Sequence, residues 1–224
     1  MIRVHVICEG HTEEIFVNRI LSDYFSQKGI YLFPSLIGKS GHKGGNFGYE
    51  RLLTDLRVRL AGDNKSYCTT FFDFYGLPTN FPGKQKSKTK NKSADKAACL
   101  LEELLKVLRA ELGEEYLYRF IPYVQMYEFE GLLFSDTQAL AKNIAQETLA
   151  DSFRSIRNQF DTPEEINDSP ETAPSKRILK LFPEYNKPLD GLLVASEIGL
   201  ESIRRECPLF DGWLKQIEAL GQGN

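Results

Sequence analysis

Long apolar runs are missing from this sequence. No stretch approaches the roughly 18 consecutive apolar residues that a membrane-spanning helix needs, and the most apolar late segment, residues 191–200, is interrupted by Glu197. The apolar run at the N-terminus ends at Glu9, which is too early for the core of a signal peptide. We therefore expect a cytoplasmic protein without a membrane segment.

Paired cysteines, zinc-finger spacings and a dominant charge are missing as well. The four cysteines form no Cys-x-x-Cys pair and the three histidines have no metal-finger spacing, so we expect reduced thiols in or near the core. The formal net charge of -3 argues against a generally basic nucleic-acid binder, although it leaves room for a local basic patch. The 224 residues, 42% of them hydrophobic, are enough to bury a sizeable core.

Strand and helix patterns alternate along the first part of the chain. Apolar and β-branched runs predict strands over residues 2–8, 30–37, 66–74 and 119–126, and amphipathic patterns predict helices between them. This order predicts an α/β fold, a mostly parallel sheet flanked by helices over residues 1–135. Residues 136–224 read as short helices separated by prolines. They form either a separate subdomain or a helical region packed on the sheet.

Carboxylates follow three of the predicted strands. Glu9 comes directly after the first, Asp73 ends the third, and Glu128 and Glu130 lie just past the fourth. Ligands of an open parallel sheet bind beyond the carboxyl ends of its strands. Acids that converge there repel one another, and a bound Mg²⁺ or Mn²⁺ relieves that repulsion. Each acid alone would more simply be a helix-start carboxylate that interacts with the helix dipole.

Three segments carry a family resemblance: Val6-Ile7-Cys8-Glu9-Gly10-His11-Thr12-Glu13, Phe72-Asp73-Phe74-Tyr75-Gly76-Leu77-Pro78 and Tyr127-Glu128-Phe129-Glu130-Gly131-Leu132-Leu133-Phe134-Ser135-Asp136. Together they resemble a bacterial TOPRIM-like family, domain of unknown function 4276. Later segments, such as Cys207-Pro208-Leu209-Phe210, extend the resemblance over nearly the whole chain. The relatives of this family in the TOPRIM group include topoisomerases, primases and overcoming-lysogenization-defect nucleases. The resemblance implies a four-stranded parallel sheet with helices and a divalent-metal site for phosphodiester chemistry.

The resemblance also implies roles for individual residues. Glu9 matches the glutamate after the first TOPRIM strand, and Asp73 matches the first acid of the Asp-x-Asp pair. Tyr75 stands where the second acid of that pair is expected, so Glu128 or Glu130 would supply the remaining carboxylate. One or two Mg²⁺ ions on these acids would orient a phosphate, activate water and stabilise the leaving oxygen. Glu9 is alternatively a general acid or base.

Basic residues lie in three places that suit a nucleic-acid backbone. Lys39 and Lys43 belong to a glycine-rich loop that lacks the P-loop spacing. A second group follows the Asp73 strand and would bind phosphates through counterion release; it includes Lys84, Lys86, Lys88, Lys90 and Lys92. Lys176 and Arg177 form a third. A flexible connector, a solvated disordered loop and ordinary surface charges are the respective alternatives.

Two functional hypotheses follow. The first is a Mg²⁺-dependent TOPRIM-like nuclease or phosphoryl-transfer enzyme, a hydrolase that acts on nucleic acid, foremost DNA, in bacterial defence. The second is a catalytically silent module that binds nucleic acid or a partner ATPase. Glu9 and Asp73 favour the first, and the missing second acid at Tyr75 favours the second.

Overall fold

The structure is a computed structural model that describes residues 1–38, 47–167 and 169–222. Within these residues, none of the helices combines the length and the apolar character needed to cross a membrane. The sheet is built from β1 (Ile2–Cys8), β2 (Ile30–Leu36), β3 (Ser66–Asp73), β4 (Phe120–Ile121) and β5 (Val124–Gln125). Its order is β2-β1-β3-β4, and β5 also pairs with β3. The pairings β1–β2, β1–β3 and β3–β4 are parallel, so the predicted α/β fold is confirmed.

The sequence places the buried and edge strands for simple reasons. Strand β3 is buried along nearly its whole length, which agrees with its almost continuous run of β-branched and aromatic residues. Strand β2 lies at one end of the strand order and contains Pro34, which pairs in register with Val6 of β1. Proline has no N–H to donate to a second neighbour, so an edge strand tolerates it.

The fourth predicted strand is interrupted. Instead of one strand over residues 119–126, the chain forms the short strands β4 and β5 on either side of Pro122 and Tyr123. The side chain of Thr70 supplies the hydrogen bonds of the Tyr123 backbone. Its hydroxyl donates to the Tyr123 carbonyl at 2.8 Å and accepts the Tyr123 N–H at 3.0 Å. A side chain thus replaces the regular strand pairing at this point.

The helices of the first 124 residues are α1 (His11–Phe16), a π-helical turn (Val17–Leu21), α2 (Ser22–Ser26), α3 (Tyr49–Gly62), α4 (Lys84–Ser87), α5 (Ser93–Leu112) and α6 (Glu114–Leu117). The α-helices that follow are α7 (Thr137–Asn143), α8 (Ala150–Arg157), α9 (Pro174–Leu181), α10 (Lys187–Ile198), α11 (Leu200–Glu206) and α12 (Pro208–Ala219). Short 3-10 helices cover Phe129–Ser135, Glu147–Leu149, Pro163–Glu165 and Pro170–Thr172. The helical C-terminal part is therefore as expected.

The connection between β3 and α5 is partly folded, whereas a solvated disordered loop was one of the two interpretations of its lysines. It contains helix α4, in which Lys84 and Ser87 are buried. Gly83 begins this helix with a φ of +79°, and a Cβ there would lie 2.8 Å from the Leu100 carbonyl oxygen of α5. Glycine has no Cβ, so it adopts this positive φ without strain and allows α5 to lie this close to the backbone. The lysine-rich composition had suggested disorder, and this packing was not visible in it.

The chain divides into two compact units. Unit 1 comprises residues 1–124 and 213–224, and unit 2 comprises residues 125–212. This division differs from the predicted boundary between residues 135 and 136. In unit 1, the ring of Trp213 stacks on Tyr123 with centroids 4.4 Å apart, and its Nε1 donates to the Thr69 hydroxyl at 2.7 Å. These contacts explain why the C-terminal residues belong to the sheet unit.

Candidate functional site

Glu9 and Asp73 lie together at the carboxyl ends of β1 and β3. The parallel register sets Cys8 opposite Phe71, and the Glu9 N–H continues the pairing by donating to the Phe71 carbonyl at 3.1 Å. The Glu9 carboxylate then accepts the Asp73 N–H at 3.0 Å. Both side chains are half-buried. The structure therefore brings these two predicted site residues together at the carboxyl ends of neighbouring strands.

A glycine makes room for the Glu9 carboxylate. Gly76 closes the turn after β3 and donates its N–H to the Asp73 carbonyl at 3.0 Å. A Cβ built on Gly76 would overlap the Glu9 carboxyl group. This carboxylate is thus confined between the Asp73 backbone and the surface of Gly76, which fixes its position at the strand end.

Lys84 is a buried lysine close to this pair of acids. Its side chain is 3% exposed, its ammonium donates to the Phe74 carbonyl, and the same group lies 3.5 Å from the centroid of the Phe74 ring. The pKa of Lys84 is lowered to about 7, mainly by burial and also by the positive charge of Lys88, while the negative charge of Glu9 acts in the opposite direction. The sequence predicts Lys84 as a contact for nucleic acid, and its burial corrects that expectation.

In unit 2, Glu128 and Glu130 share a lysine. Lys187 Nζ, at the start of α10, lies 3.1 Å from Glu130 Oε2 and 3.6 Å from Glu128 Oε1. Glu128 Oε2 also accepts the Ser175 N–H at 2.9 Å. Burial raises the pKa of Glu130, while Lys187 acts in the opposite direction. The two glutamates therefore form a partly neutralised cluster within unit 2.

The backbone before Glu128 adopts an unusual conformation. Tyr127 has a φ of +67° although its side chain is large and buried. A non-glycine residue in this region carries strain of about 1–3 kcal/mol and is found disproportionately at functional sites. The strained residue redirects the chain just where the two acids begin, a feature that no sequence signal pointed to.

The predicted metal-ligand set is split between the units. Glu9 and Asp73 belong to unit 1, whereas Glu128 and Glu130 belong to unit 2. Within the described residues of either unit, no three His, Cys, Asp or Glu side chains are arranged to hold a metal ion. The shared site of Glu9, Asp73 and Glu128 or Glu130 stays a prediction.

The predicted basic residues have different surroundings. Lys39 and Lys43, with most of the glycine-rich loop, lie outside the described residues. Lys86 pairs with Glu103 at 2.5 Å. The remaining lysines of the second group are exposed, namely Lys88, Lys90 and Lys92. That group therefore supplies three exposed charges between α4 and α5, besides Lys86, which is exposed but paired.

The third basic group lies in unit 2. Lys176 is exposed on α9. Arg177 is half-buried, and its Nε donates to the Thr172 carbonyl at 2.7 Å while its guanidinium lies 5.2 Å from the centroid of the Phe160 ring. Lys176 is thus a solvent-facing charge, and Arg177 is held in place by its neighbours.

Comparison with known proteins places the chain in a family. Residues 8–218 match the family described as Domain of unknown function (DUF4276). The chain belongs to this family. Among solved structures, this DUF4276 chain is similar to the C-terminal region of the Burkholderia pseudomallei OLD protein, with 15% sequence identity, a TM-score of 0.52 and coverage of 99% of each chain. At that identity the likeness shows the fold alone. No curated protein matches the DUF4276 chain.

Sequence reasoning missed two cations beside the acids. The burial of Lys84 was hidden in a run of lysines that reads as a solvated segment. The role of Lys187 is not visible in the sequence, because its two acidic partners are 57 and 59 residues away. In this DUF4276 chain, each pair of predicted acids therefore has a lysine close by.

Proposed function

We propose that this DUF4276 chain is a Mg²⁺- or Mn²⁺-dependent TOPRIM-like nuclease or phosphoryl-transfer enzyme that acts on nucleic acid, foremost DNA. The observation that carries the proposal is the hydrogen bond between the Glu9 carboxylate and the Asp73 N–H at the ends of neighbouring parallel strands. This edge of an open parallel sheet is where such folds bind ligands. The family resemblance assigns phosphodiester chemistry to the same two residues.

The donor set fits a hard divalent cation. Mg²⁺ is usually held by one or two carboxylates, with water and substrate phosphates as its other ligands. Glu9 and Asp73 are two carboxylate residues at neighbouring strand ends, where the Glu9 carboxylate accepts the backbone N–H of Asp73. When bound there, the ion would orient a phosphate, activate water and stabilise charge on the leaving oxygen. We also propose Glu128 and Glu130 as ligands or catalytic acids.

The residues of the chain would divide the work. Glu9 is confined against Gly76, which suits a ligand whose position must not vary, and it is alternatively a general acid or base. Lys84 stabilises the turn that carries Asp73 through its bond to the Phe74 carbonyl. Lys187 offsets the repulsion between Glu128 and Glu130. The exposed lysines after β3 would meet the nucleic-acid backbone.

The second candidate is a silent module that binds nucleic acid or a partner ATPase. Two observations favour it: Tyr75 replaces the second acid of the Asp-x-Asp pair, and Lys187 is paired with both Glu128 and Glu130. An ammonium at these carboxylates competes with a metal ion for the same oxygens. Both candidates are compatible with a cytoplasmic role in bacterial defence, where an ATPase would be the partner.

Cleavage by substituted proteins tests the proposal. Glu9→Gln and Asp73→Asn each remove a charged ligand and keep the side-chain shape, so both should abolish Mg²⁺-dependent cleavage of a labelled DNA while the far-UV circular dichroism and the melting temperature are retained. Glu14→Gln is the matched control, because Glu14 belongs to the same β1–α1 region and pairs with His11 at 3.2 Å. This control should cleave like the parent.

Other results would overturn the proposal. Cleavage that persists in both variants would place the activity at another site or in a contaminant. A parent protein that cleaves neither DNA nor RNA with Mg²⁺ or Mn²⁺, alone or with an adjacent ATPase, would favour the silent module instead.

A further inference from the structure

A cleft in unit 2 has a basic wall. Helix α9 and the 3-10 helix before it, Pro170–Thr172, form one side, and helix α8 forms the other. The cleft has a volume of about 450 Å³, which falls in the range of roughly 300–1,000 Å³ that is typical of small-molecule sites. All of its lining residues belong to unit 2.

Two lysines on α9 present a pair of charges to this cleft. Lys176 and Lys180 both line it and both are exposed. They are four residues apart, so they lie on one face of the helix with a separation of about 6 Å along its axis. Neither has an ion-pair partner in the part of the chain that the structure describes. Their charges are therefore available to an anion.

Arg177 adds a fixed guanidinium. The hydrogen bond from Nε to the Thr172 carbonyl and the contact with the Phe160 ring hold this side chain in one orientation, which lowers the entropy lost on binding. Glu171 also lines the cleft, and a hydrogen bond with the Ser169 side chain lowers the pKa of its carboxyl group. The lining thus carries three basic side chains against this one acid.

The remaining lining is polar and aliphatic. Ser152 and Ser155 on α8 line the cleft; the Ser152 hydroxyl can bind a phosphate oxygen, whereas the Ser155 hydroxyl donates to the Asp151 carbonyl at 2.8 Å. Half-buried Ile156 and Leu181 supply apolar surface. Apolar surface does not stabilise an inorganic anion, whereas the sugar and base of a nucleotide can pack against it.

We propose that this cleft binds the sugar-phosphate backbone of a single nucleic-acid strand without sequence preference. Two separated lysines match successive charges of a polyanion better than one small anion, and contacts of lysines with phosphates carry no sequence information. The inference rests on the proposed function for its substrate class. It adds Lys180, Ser152, Ser155, Ile156 and Leu181 to the residues predicted from the sequence.

Binding without turnover tests the cleft separately from catalysis. The fluorescence anisotropy of a labelled short oligothymidylate is titrated with full-length protein in EDTA at several KCl concentrations. Lys176→Gln/Lys180→Gln should lower the affinity roughly tenfold and flatten the plot of log K against log salt by about 1.4, since a single strand contributes about 0.7 per phosphate. Lys65→Gln/Lys142→Gln removes two exposed lysines elsewhere and should change neither quantity.

Two further variants change other parts of the lining. Ser155→Glu places a negative charge on the α8 wall and should also weaken binding, while Leu181→Ser on α9 should weaken it without changing the salt slope. Circular dichroism melting checks that all variants fold. An equal loss of affinity in the lysine pair and its control would reduce the effect to net charge and overturn the inference.

Further outcomes also bear on the cleft. An unchanged affinity in Lys176→Gln/Lys180→Gln would overturn it, as would a parent protein that does not bind the strand. Inorganic phosphate that displaces the strand at an affinity equal to its own would show a small-anion site instead. The binding assay contains EDTA, so failure of cleavage by the parent leaves its result unaffected, and the failures of the two proposals can be distinguished.

Discussion

The ammonium of Lys84 lies 3.5 Å from the centroid of the Phe74 ring and donates a hydrogen bond to the Phe74 carbonyl. A buried lysine therefore contacts Phe74, the residue that follows Asp73. The ring face and the carbonyl compensate part of the lost hydration, but the pKa of Lys84 still falls to about 7 because of burial. The free energy of unfolding should therefore depend on pH because of this pKa shift.

Lys84→Met should remove a pH dependence of stability. The pKa of Lys84 is lower in the folded protein than in the unfolded chain, so the unfolded chain binds more protons between about pH 7 and pH 10.5. This group therefore makes the parent more stable as the pH rises through that window, by up to about 1.4 kcal/mol per pH unit. Urea unfolding at pH 7.5 and 9.5 should show this gain in the parent and its loss in Lys84→Met.

The exposed Lys88 offers a matched control for this prediction. Lys88→Met removes a lysine from the same segment and should leave most of the pH-dependent gain in place. If Lys84→Met retains the full slope of the parent, Lys84 is charged in the folded protein throughout this range.

Gly76→Ala should disturb the position of Glu9. The new methyl group would overlap the Glu9 carboxylate, so we expect a destabilisation of about 1–3 kcal/mol and loss of any activity that depends on Glu9. Gly62→Ala is the control, since a Cβ there meets nothing within 4 Å. Chemical denaturation measures both changes.

A second background separates steric overlap from other effects at Gly76. In Glu9→Ala the carboxylate is absent, and Gly76→Ala should then cost much less than in the parent. An equal cost in both backgrounds would mean that the methyl group disturbs the turn itself rather than Glu9.

The alternation of strand and helix patterns was enough to predict the sheet and the meeting of Glu9 with Asp73. Neighbouring parallel strands end at one edge, so residues that directly follow β1 and end β3 are close for topological reasons alone. The interruption at Pro122 and Tyr123 depends on the Thr70 hydroxyl, a contact across 53 residues. The spacing of apolar residues along the chain cannot show that a side-chain hydroxyl takes the place of backbone strand pairing.

Burial of charged groups was the other feature beyond sequence reasoning. A lysine run usually indicates a solvated segment, whereas the burial of Lys84 and Ser87 and the close approach of Gly83 to Leu100 in α5 show that α4 is packed. The ion pairs of Lys187 with Glu128 and Glu130 likewise require the tertiary structure. Helix propensity and charge pattern describe neighbours in sequence, whereas these pairs are distant in the chain.

Lys88, Lys90 and Lys92 should carry the non-specific nucleic-acid affinity expected of the segment after β3. The triple substitution to Gln should weaken DNA binding and reduce its dependence on salt, because fewer counterions are released. Lys84→Gln should not reproduce this effect through lost phosphate contacts, since Lys84 is buried. Filter binding at several salt concentrations measures both. Unaltered binding in the triple variant would leave these lysines as ordinary surface charges.

Glu164 provides a test of buried charge in unit 2. This side chain is 1% exposed, and its two carboxylate oxygens accept the N–H groups of Leu209 and Phe210 at 2.8 and 2.9 Å in the first turn of α12. Burial raises the pKa of Glu164 to about 7, although the two backbone hydrogen bonds act in the opposite direction. The ionised carboxylate is therefore costly in the folded protein.

Glu164→Gln should consequently stabilise the protein more at high pH than at low pH. Between about pH 4.5 and pH 7 the folded protein binds the extra proton, so the contribution of Glu164 is fully present below this window and is lost as the pH rises through 7. The amide resembles the protonated acid, so Glu164→Gln should be close to the parent in stability at pH 5. At pH 8 it should be more stable by on the order of 2 kcal/mol.

Glu147→Gln, at an exposed glutamate, should show no such difference in urea unfolding. A variant that is less stable than the parent at pH 8 would mean that the two N–H donors outweigh burial and keep Glu164 ionised.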